Sequence, residues 1–345
     1  MIASIPCGAL TALVTPFGED LSINWDIFER LIEFQVSQGI SGIVPVGTTG
    51  ESPTLTEVEH YHIISRAVAE RCGVFVLAGC GSNCTKEAMG YVERVARKGG
   101  RAVLLVDPYY NGPSSLEIRK EYYEPIAKAF PDIAIVPYII PGRTGCNLLP
   151  MDLAILRGSC PNVCAVKDAT GDFNNVEDIR TLTSPQFQIF SGDDDKTLHL
   201  MGNPLYSACG VISVVSNIAP AAVQKMCQAM LSGEGRVAYH LNRALQPLFD
   251  IVTISAERKT ELGRVVDRFR NPLSIKTAMN VLGMNVGPCR RPLGKMSLWG
   301  LDKVRVALTT VNQQNPEIFS PIAEFFKVDI AERLANDSIW AKYMY

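Results

Sequence analysis

Asn162-Val-Cys-Ala-Val-Lys167-Asp168, followed by Ala169-Thr170-Gly171, is an apolar run that closes on a lysine. A continuous run, rather than an alternating one, predicts a strand buried on both faces, as in a parallel sheet. A lysine at the carboxyl end of such a strand faces the mouth of an α/β fold. Desolvation there disfavours the ammonium form and leaves more of the free amine that attacks carbonyls. Alone, the run also reads as a lysine snorkelling at a strand end. The other strand ends must decide.

Seven further runs of the same kind are Gly8–Thr15, Gly42–Gly47, Val74–Gly79, Ala102–Asp107, Ile133–Tyr138, Phe187–Gly192 and Gly210–Val215. They recur about every 30 residues, one βα unit each. Amphipathic helices are predicted between them, among them Asp26–Gln38, Thr56–Arg71, Thr85–Lys98 and Ser115–Phe130. Thr56-Glu-Val-Glu and Ser115-Leu-Glu-Ile supply N-capping chemistry. Eight units in about 230 residues predict a (β/α)8 TIM barrel. A doubly wound open sheet is the alternative, and it lacks a GxGxxG fingerprint after the first strand. After Ser232-Gly-Glu-Gly235 the strand pattern gives way to predicted helices at Arg236–Ala256, Pro272–Leu282, Leu301–Thr310 and Ala331–Met344, with a break at Asn285-Val-Gly-Pro288. The division expected is a catalytic barrel over residues 1–232 and a C-terminal helical domain with an extended tail over 233–345. Phe319, Phe325, Phe326, Ile339 and Trp340 in that tail need cover from the barrel or another subunit.

The chain has 345 residues, 20% of them charged, and a formal net charge of −2, with no basic or acidic block. That excludes nucleic acid and anionic membrane as expected partners. No signal peptide or membrane span is read, so the expected location is cytoplasmic. The ten cysteines lie scattered in apolar contexts and read as buried thiols of a reducing compartment. Cys80/Cys84 and Cys160/Cys164 share a CxxxC spacing but lack zinc-finger partners, so no metal site is expected.

In barrels the reactive groups sit at the carboxyl ends of the strands. The second run ends in Gly47-Thr48-Thr49-Gly50-Glu51, whose small residues, backbone N–H groups and hydroxyls suit a carboxylate or phosphate. The fourth ends in Asp107-Pro-Tyr109-Tyr110-Asn111 and the fifth in Pro137-Tyr138-Ile-Ile-Pro-Gly-Arg143-Thr-Gly145. A phenol such as Tyr138 can shuttle a proton, and Arg143 can fork onto a carboxylate. A half-buried tyrosine and a rim arginine are the plainer readings of each in isolation. The aspartates of Ser191-Gly192-Asp193-Asp194-Asp195 read as a solvated helix start rather than a metal site. Amine, threonine cradle, phenol and guanidinium on one rim describe a class I aldolase or lyase. Its imine with a 2-oxo acid acts as the electron sink for an enamine that attacks a second carbonyl.

The ordered blocks GTTGE, PYYN, P-x-R-T-G, V-K-D-A-T-G, S-G-D-D and G-V-I-S-V resemble the dihydrodipicolinate synthase/N-acetylneuraminate lyase family from about Gly8 to Thr310. The Pro-Tyr-Tyr-Asn and Arg143 contexts resemble its synthase branch. The sister reading is a lyase of N-acetylneuraminate or 2-keto-3-deoxygluconate, and a third is a non-catalytic barrel used for binding or assembly. The resemblance implies condensation of pyruvate with aspartate-semialdehyde in lysine biosynthesis, with no metal or organic cofactor. By matching position, Lys167 forms the Schiff base with pyruvate. Thr48 and Thr49 hold the pyruvate carboxylate, Thr49 links Tyr138 to Tyr110 in a proton relay, and Arg143 orients the semialdehyde. Gly192 and Ile212 line the pocket. The resemblance further implies a homodimer or homotetramer, with Tyr110 reaching into the neighbouring subunit. It also implies an L-lysine effector site at Glu57, His60, Asn83, Glu87 and Tyr109. Four features depart from the family pattern: Tyr138-Ile-Ile-Pro in place of Tyr-Asn-Val-Pro, Asp107 before Pro-Tyr-Tyr, a segment His199–Ala208 a few residues longer than usual, and the tail after Asn312.

Overall fold

A computed structural model describes residues 3–70 and 73–345. Arg71, the expected end of the second helix, and Cys72 lie outside the described residues. The barrel strands are β1 (Gly8–Ala12), β2 (Gly42–Val44), β3 (Phe75–Val76), β4 (Ala78–Gly79), β5 (Ala102–Val106), β6 (Ala134–Ile139), β7 (Ala165–Asp168), β8 (Gln188–Ser191) and β9 (Gly210–Ser213). All pair in parallel, in the order β3-β2-β1-β9-β8-β7-β6-β5-β4. The expected third strand is one run interrupted at Leu77, so eight expected strands become nine. Its two halves bond opposite neighbours: Leu77 N donates to Ile43 O, and Cys80 N donates to Leu104 O. The two ends of the list are therefore one piece of chain, and the ring closes.

Strand side chains alternate across the barrel wall. Leu10, Ala12, Val44, Leu77, Ala102, Leu104, Ala134, Val136, Ala165, Phe190 and Ile212 fill the interior. Val103, Leu105, Ile135 and Val166 face outward against the helices. The same period carries Ala134-Val136-Tyr138 and Ala165-Lys167 inward, so Tyr138 and Lys167 occupy the top interior layer.

The helices form close to their expected bounds: Trp25–Ser37, Glu57–Ala69 and Thr85–Arg97. Thr56 and Glu59 make the expected capping box. The next helix is capped by Ser114 with Glu117, one residue earlier than expected, because Ser115 instead bonds Asp152 and Leu149 N. The tail is covered within the chain: Phe325 and Phe326 pack on Phe34 of the first helix at 5.3 and 5.4 Å. Phe319 and Trp340 are buried. The expected last helix is broken at Asn336, whose side chain caps Asp337–Ala341.

The C-terminal segment corrects one expectation. The helix predicted to Ala256 ends at Phe249, and an antiparallel hairpin follows, β10 (Thr253–Thr260) and β11 (Gly263–Arg270). Ala256-Glu-Arg-Lys has helix-forming composition, but Ile254 and Ala256 are buried between exposed neighbours with period two. That alternation, not propensity, decides the strand.

A buried ion pair joins this segment to the barrel. Lys276 Nζ donates to Glu51 Oε1 at 2.8 Å, Thr15 O at 2.9 Å and Pro288 O at 2.7 Å. Glu51 Oε2 accepts from Arg290 N at 2.8 Å. The two side chains are 2% and 0% exposed. Arg290 adds a fork onto Glu59 and bonds to Leu21 O and Thr54 O. Replacing Lys276 by methionine strands the Glu51 carboxylate in a dry site. Equilibrium denaturation should show Lys276→Met less stable by about 3–5 kcal/mol, and Glu51→Gln/Lys276→Met less destabilised than the sum of the single changes. A Lys276→Met midpoint equal to wild type would show that the pair does not anchor the segment.

Candidate active site

Lys167 stands next to Asp168, whose carboxylate fixes the chain beyond the strand. Asp168 Oδ1 accepts from Thr170 N at 3.1 Å and Thr170 Oγ1 at 2.8 Å, and Oδ2 accepts from Asn175 Nδ2 at 2.7 Å. The neighbouring strand end must come close: Gly192 N donates to Asp168 O, and a Cβ on Gly192 would lie 2.5 Å from Ala169 Cβ. Only glycine fits there. β6 and β7 pair with Tyr138 opposite Lys167, and Lys167 Nζ lies 4.0 Å from the Tyr138 ring centroid. Lys167 is 5% exposed, so the amine points into the barrel and not outward.

The threonine turn after β2 carries positive φ at both edges, 58° at Val46 and 58° at Glu51. A β-branched residue rarely adopts that conformation. Packing enforces it: a Cβ on Gly79 would meet Val46 O at 2.3 Å, so β4 presses the turn into place. Thr49 Oγ1 accepts from Asn271 Nδ2 at 2.9 Å. With that lone pair occupied, the Thr49 hydroxyl proton is free to be donated elsewhere.

These groups share one cavity of about 200 Å³, lined by Thr48, Thr49, Tyr138, Arg143, Lys167 and Gly192 among others. The structure thus brings together six of the expected residues. Ile212 does not line it; Ile212 is buried in the barrel interior two residues before Val214, which does. Tyr110 also lies outside the cavity: it is 90% exposed with φ 82°, held by its N–H to Thr144 O at 3.2 Å.

A model of the dihydrodipicolinate synthetase family matches residues 6–311. The chain belongs to the dihydrodipicolinate synthetase family. A relative from Thermosynechococcus vestitus named 4-hydroxy-tetrahydrodipicolinate synthase is 38% identical over 291 residues, 84% of this chain and 91% of the relative. The crystal structure of dihydrodipicolinate synthase from Aquifex aeolicus superposes with a TM-score of 0.81 at 34% identity, covering 89% of this chain and 98% of that one. A lysine-bound structure of the family from Cyanidioschyzon merolae gives a TM-score of 0.81 at 32% identity, covering 90% and 99%.

Of the residues expected at an effector site, Glu57 and His60 lie on the helix after β2, Glu87 on the helix after β4, Asn83 in the loop before that helix, and Tyr109 after β5. His60 is buried and stacks on Tyr91 at 4.0 Å. Burial, reinforced by the Arg94 charge, lowers its pKa to about 4, so it is neutral at physiological pH. Glu57 pairs with Arg94 at 3.3 Å, and Glu87 accepts from Ser82 Oγ at 2.7 Å. Asn83 is exposed, and Tyr109 is half-buried with its pKa raised by burial and by Glu87.

Three acidic positions differ from a plain reading of the sequence. Asp194 is not solvated: it is buried and accepts from Ser213 Oγ, Val214 N and Val215 N, tying two strand ends together. Asp193 lines the cavity. Asp107, which departs from the family pattern, accepts from Tyr123 OH at 2.7 Å and Leu148 N at 3.1 Å. Sequence reasoning missed Asn271, Arg268 and Arg270, which also line the cavity. Their signal was the Arg268-Phe-Arg270-Asn271-Pro pattern, hidden inside a segment with no assigned strand. Among the described residues no helix is long and apolar enough to cross a membrane.

Burial raises the Asp107 pKa from 3.8 to about 7, against the opposing pull of its two hydrogen bonds. The folded state therefore keeps a proton that the unfolded state releases, and stability falls as pH rises through that window. Relative to Asp107→Asn, the wild type should lose about 1.4 kcal/mol of unfolding free energy per pH unit between pH 4 and 7. Denaturant titrations of both proteins at several pH values read this directly; parallel curves would mean that Asp107 is ionised throughout.

Proposed function

We propose that this chain is a 4-hydroxy-tetrahydrodipicolinate synthase, a class I lyase that condenses pyruvate with aspartate-semialdehyde in lysine and diaminopimelate biosynthesis. The observation that carries the reading is the Lys167 amine, buried on the inward face of β7, beside the Tyr138 ring and in one cavity with Thr48 and Thr49. The Lys167 nitrogen attacks the pyruvate keto carbon, and loss of water leaves an imine. The imine nitrogen withdraws electrons, so a methyl proton leaves and the resulting enamine attacks the aldehyde carbon of the second substrate. This electron sink is built from substrate and lysine, and the reaction calls for no metal or organic cofactor. The Thr49 hydroxyl, already accepting from Asn271, has its proton available for the pyruvate carboxylate or the Tyr138 phenol. Tyr138 moves protons at the carbinolamine and imine stages. Arg143 faces the mouth, where the semialdehyde carboxylate enters.

Two further parts of the reading concern assembly and control. Tyr110 is an exposed aromatic fixed by a left-handed backbone, the disposition of a residue offered to another subunit; it completes the relay in a homodimer or homotetramer. L-lysine is the effector at Glu57, His60, Asn83, Glu87 and Tyr109. Glu57 there exchanges its exposed partner Arg94 for the ligand's ammonium, a pair weak enough to give way.

Borohydride reduction with pyruvate should add the reduced adduct to the Lys167 peptide and to no other, and the mass shift should vanish in Lys167→Ala. Modification elsewhere would overturn the assignment. Tyr138→Phe should lower the condensation rate by about 10²–10⁴-fold, the range for a proton-transfer group. Activity should decline as L-lysine rises to millimolar levels; a flat titration would remove the effector site from the reading.

A further inference from the structure

The hairpin β10–β11 places two more cations at the cavity mouth. In its register Arg268 lies opposite Ser255 and Arg270 opposite Thr253. Residues two apart on a strand share a face, so Arg268 and Arg270 point the same way. Phe269, between them, points the other way. Its ring packs on the helix Leu298–Gln314 so closely that a Cβ on Gly300 would lie 2.7 Å from it. Lys303 Nζ of that helix donates to Ser255 O at 2.7 Å, and Arg258 pairs with Asp267 across the hairpin at 2.7 Å. These contacts fix the sheet so that Arg268 and Arg270 line the cavity that holds Lys167 and Arg143.

Two of the three guanidiniums are interlocked through backbone. Arg270 Nη1 donates to Gly142 O at 3.0 Å, next to Arg143, and Arg143 Nη2 donates to Asn271 O at 3.0 Å, next to Arg270. The Arg268 side chain makes no hydrogen bond among the described residues, and none of the three forms an ion pair with a carboxylate among them. Among the described residues Asp193 is the one acidic residue in the cavity lining. Arg143 is exposed at the mouth, yet the protein packed around it and the charges of Arg270 and Arg268 lower its pKa, with Tyr138 opposing. Three like charges held together without a counter-ion repel one another. A bound anion relieves that repulsion, and each guanidinium retains N–H donors in the fork geometry that matches a carboxylate.

We propose that Arg268 and Arg270, carried by the hairpin, form with Arg143 a guanidinium cluster that binds the carboxylate of the carbonyl acceptor and restricts the acceptor to aldehydes that carry a carboxylate. This rests on the condensation reading above and adds to it the residues that select the second substrate. The cluster lines the same cavity as Lys167, so it can hold the acceptor beside the pyruvate imine.

The test is steady-state kinetics of wild type, Arg268→Gln, Arg268→Lys and Arg270→Gln, with each substrate varied and sodium chloride raised from low to high concentration. In the two glutamine variants the KM for aspartate-semialdehyde should rise about 10–100-fold, the loss of one or two charge-assisted hydrogen bonds. The KM for pyruvate and the borohydride-trapping rate should stay within about twofold. Arg268→Lys should recover part of the loss, and high chloride, which competes for the guanidiniums, should raise the semialdehyde KM less in Arg268→Gln than in wild type. Inorganic phosphate should compete with the semialdehyde in wild type and less in the variants. Among the described residues the Arg268 side chain bonds to nothing, so its variants carry the test even if Arg270→Gln, which loses the bond to Gly142, fails to fold. Wild-type turnover with a semialdehyde KM unchanged in Arg268→Gln defeats the cluster alone. Wild type that traps pyruvate but does not consume the semialdehyde defeats the proposed reaction, and the cluster's role with it.

Discussion

Glu51 and Lys276 hold the working parts of this protein together. Glu51 ends the threonine turn at the barrel mouth, and Lys276 lies in the helix that follows Asn271 and the hairpin. Both are cut off from water, so each is tolerable only because the other is present. Three further bonds, to Thr15 O, Pro288 O and Arg290 N, complete their coordination. The cations of Lys276 and Arg290 also lie over the Phe17 ring, at 4.4 and 4.3 Å. One pair therefore sets where the carboxylate-binding threonines stand relative to Asn271 and the arginines of β11.

Around that anchor the barrel separates tasks by position along its strands. The interior below Tyr138 and Lys167 is closed by apolar side chains, so the amine has one open direction, toward the mouth. Carboxylates near the mouth serve chiefly as struts. Asp168 and Asp194 accept several backbone and side-chain donors each and fix the ends of β7 and β9. Burial raises both of their pKa values to about 6, against those same hydrogen bonds. The positive groups remain with fewer partners, and it is they that face an incoming acid.

Much of this was legible in the sequence. The spacing of apolar runs indicated the barrel, and their position at the carboxyl ends of strands placed Lys167 and Tyr138 at its mouth; that both face inward came from the alternation seen in the structure. The GTTGE and P-x-R-T-G blocks put Thr48, Thr49 and Arg143 at the mouth. What escaped had a physical reason in each case. The hairpin is rich in charged residues of good helix propensity and buries only two side chains of β10, Ile254 and Ala256, so its alternation was faint. Asp194 looked solvated because an acidic run at a helix start usually is; its burial depends on donors from β9, 19 to 21 residues away. Leu77 reads as one position in a strand, and only the pairing on both sides shows that the ring closes there. The tail's aromatics announced a need for cover, but nothing local pointed to Phe34 as its source.

The alternation of β11 has a last consequence. Phe269 grips the C-terminal helix while Arg268 and Arg270 look into the mouth, and the two faces exchange if the strand slips by one residue. Insertion or loss of a single residue near Leu262, at the solvent-bathed tip, would leave the lysine and its phenol untouched. It could nevertheless turn a basic entrance into an oily one. The hairpin thus sets the character of the entrance while the ring beneath stays as it is.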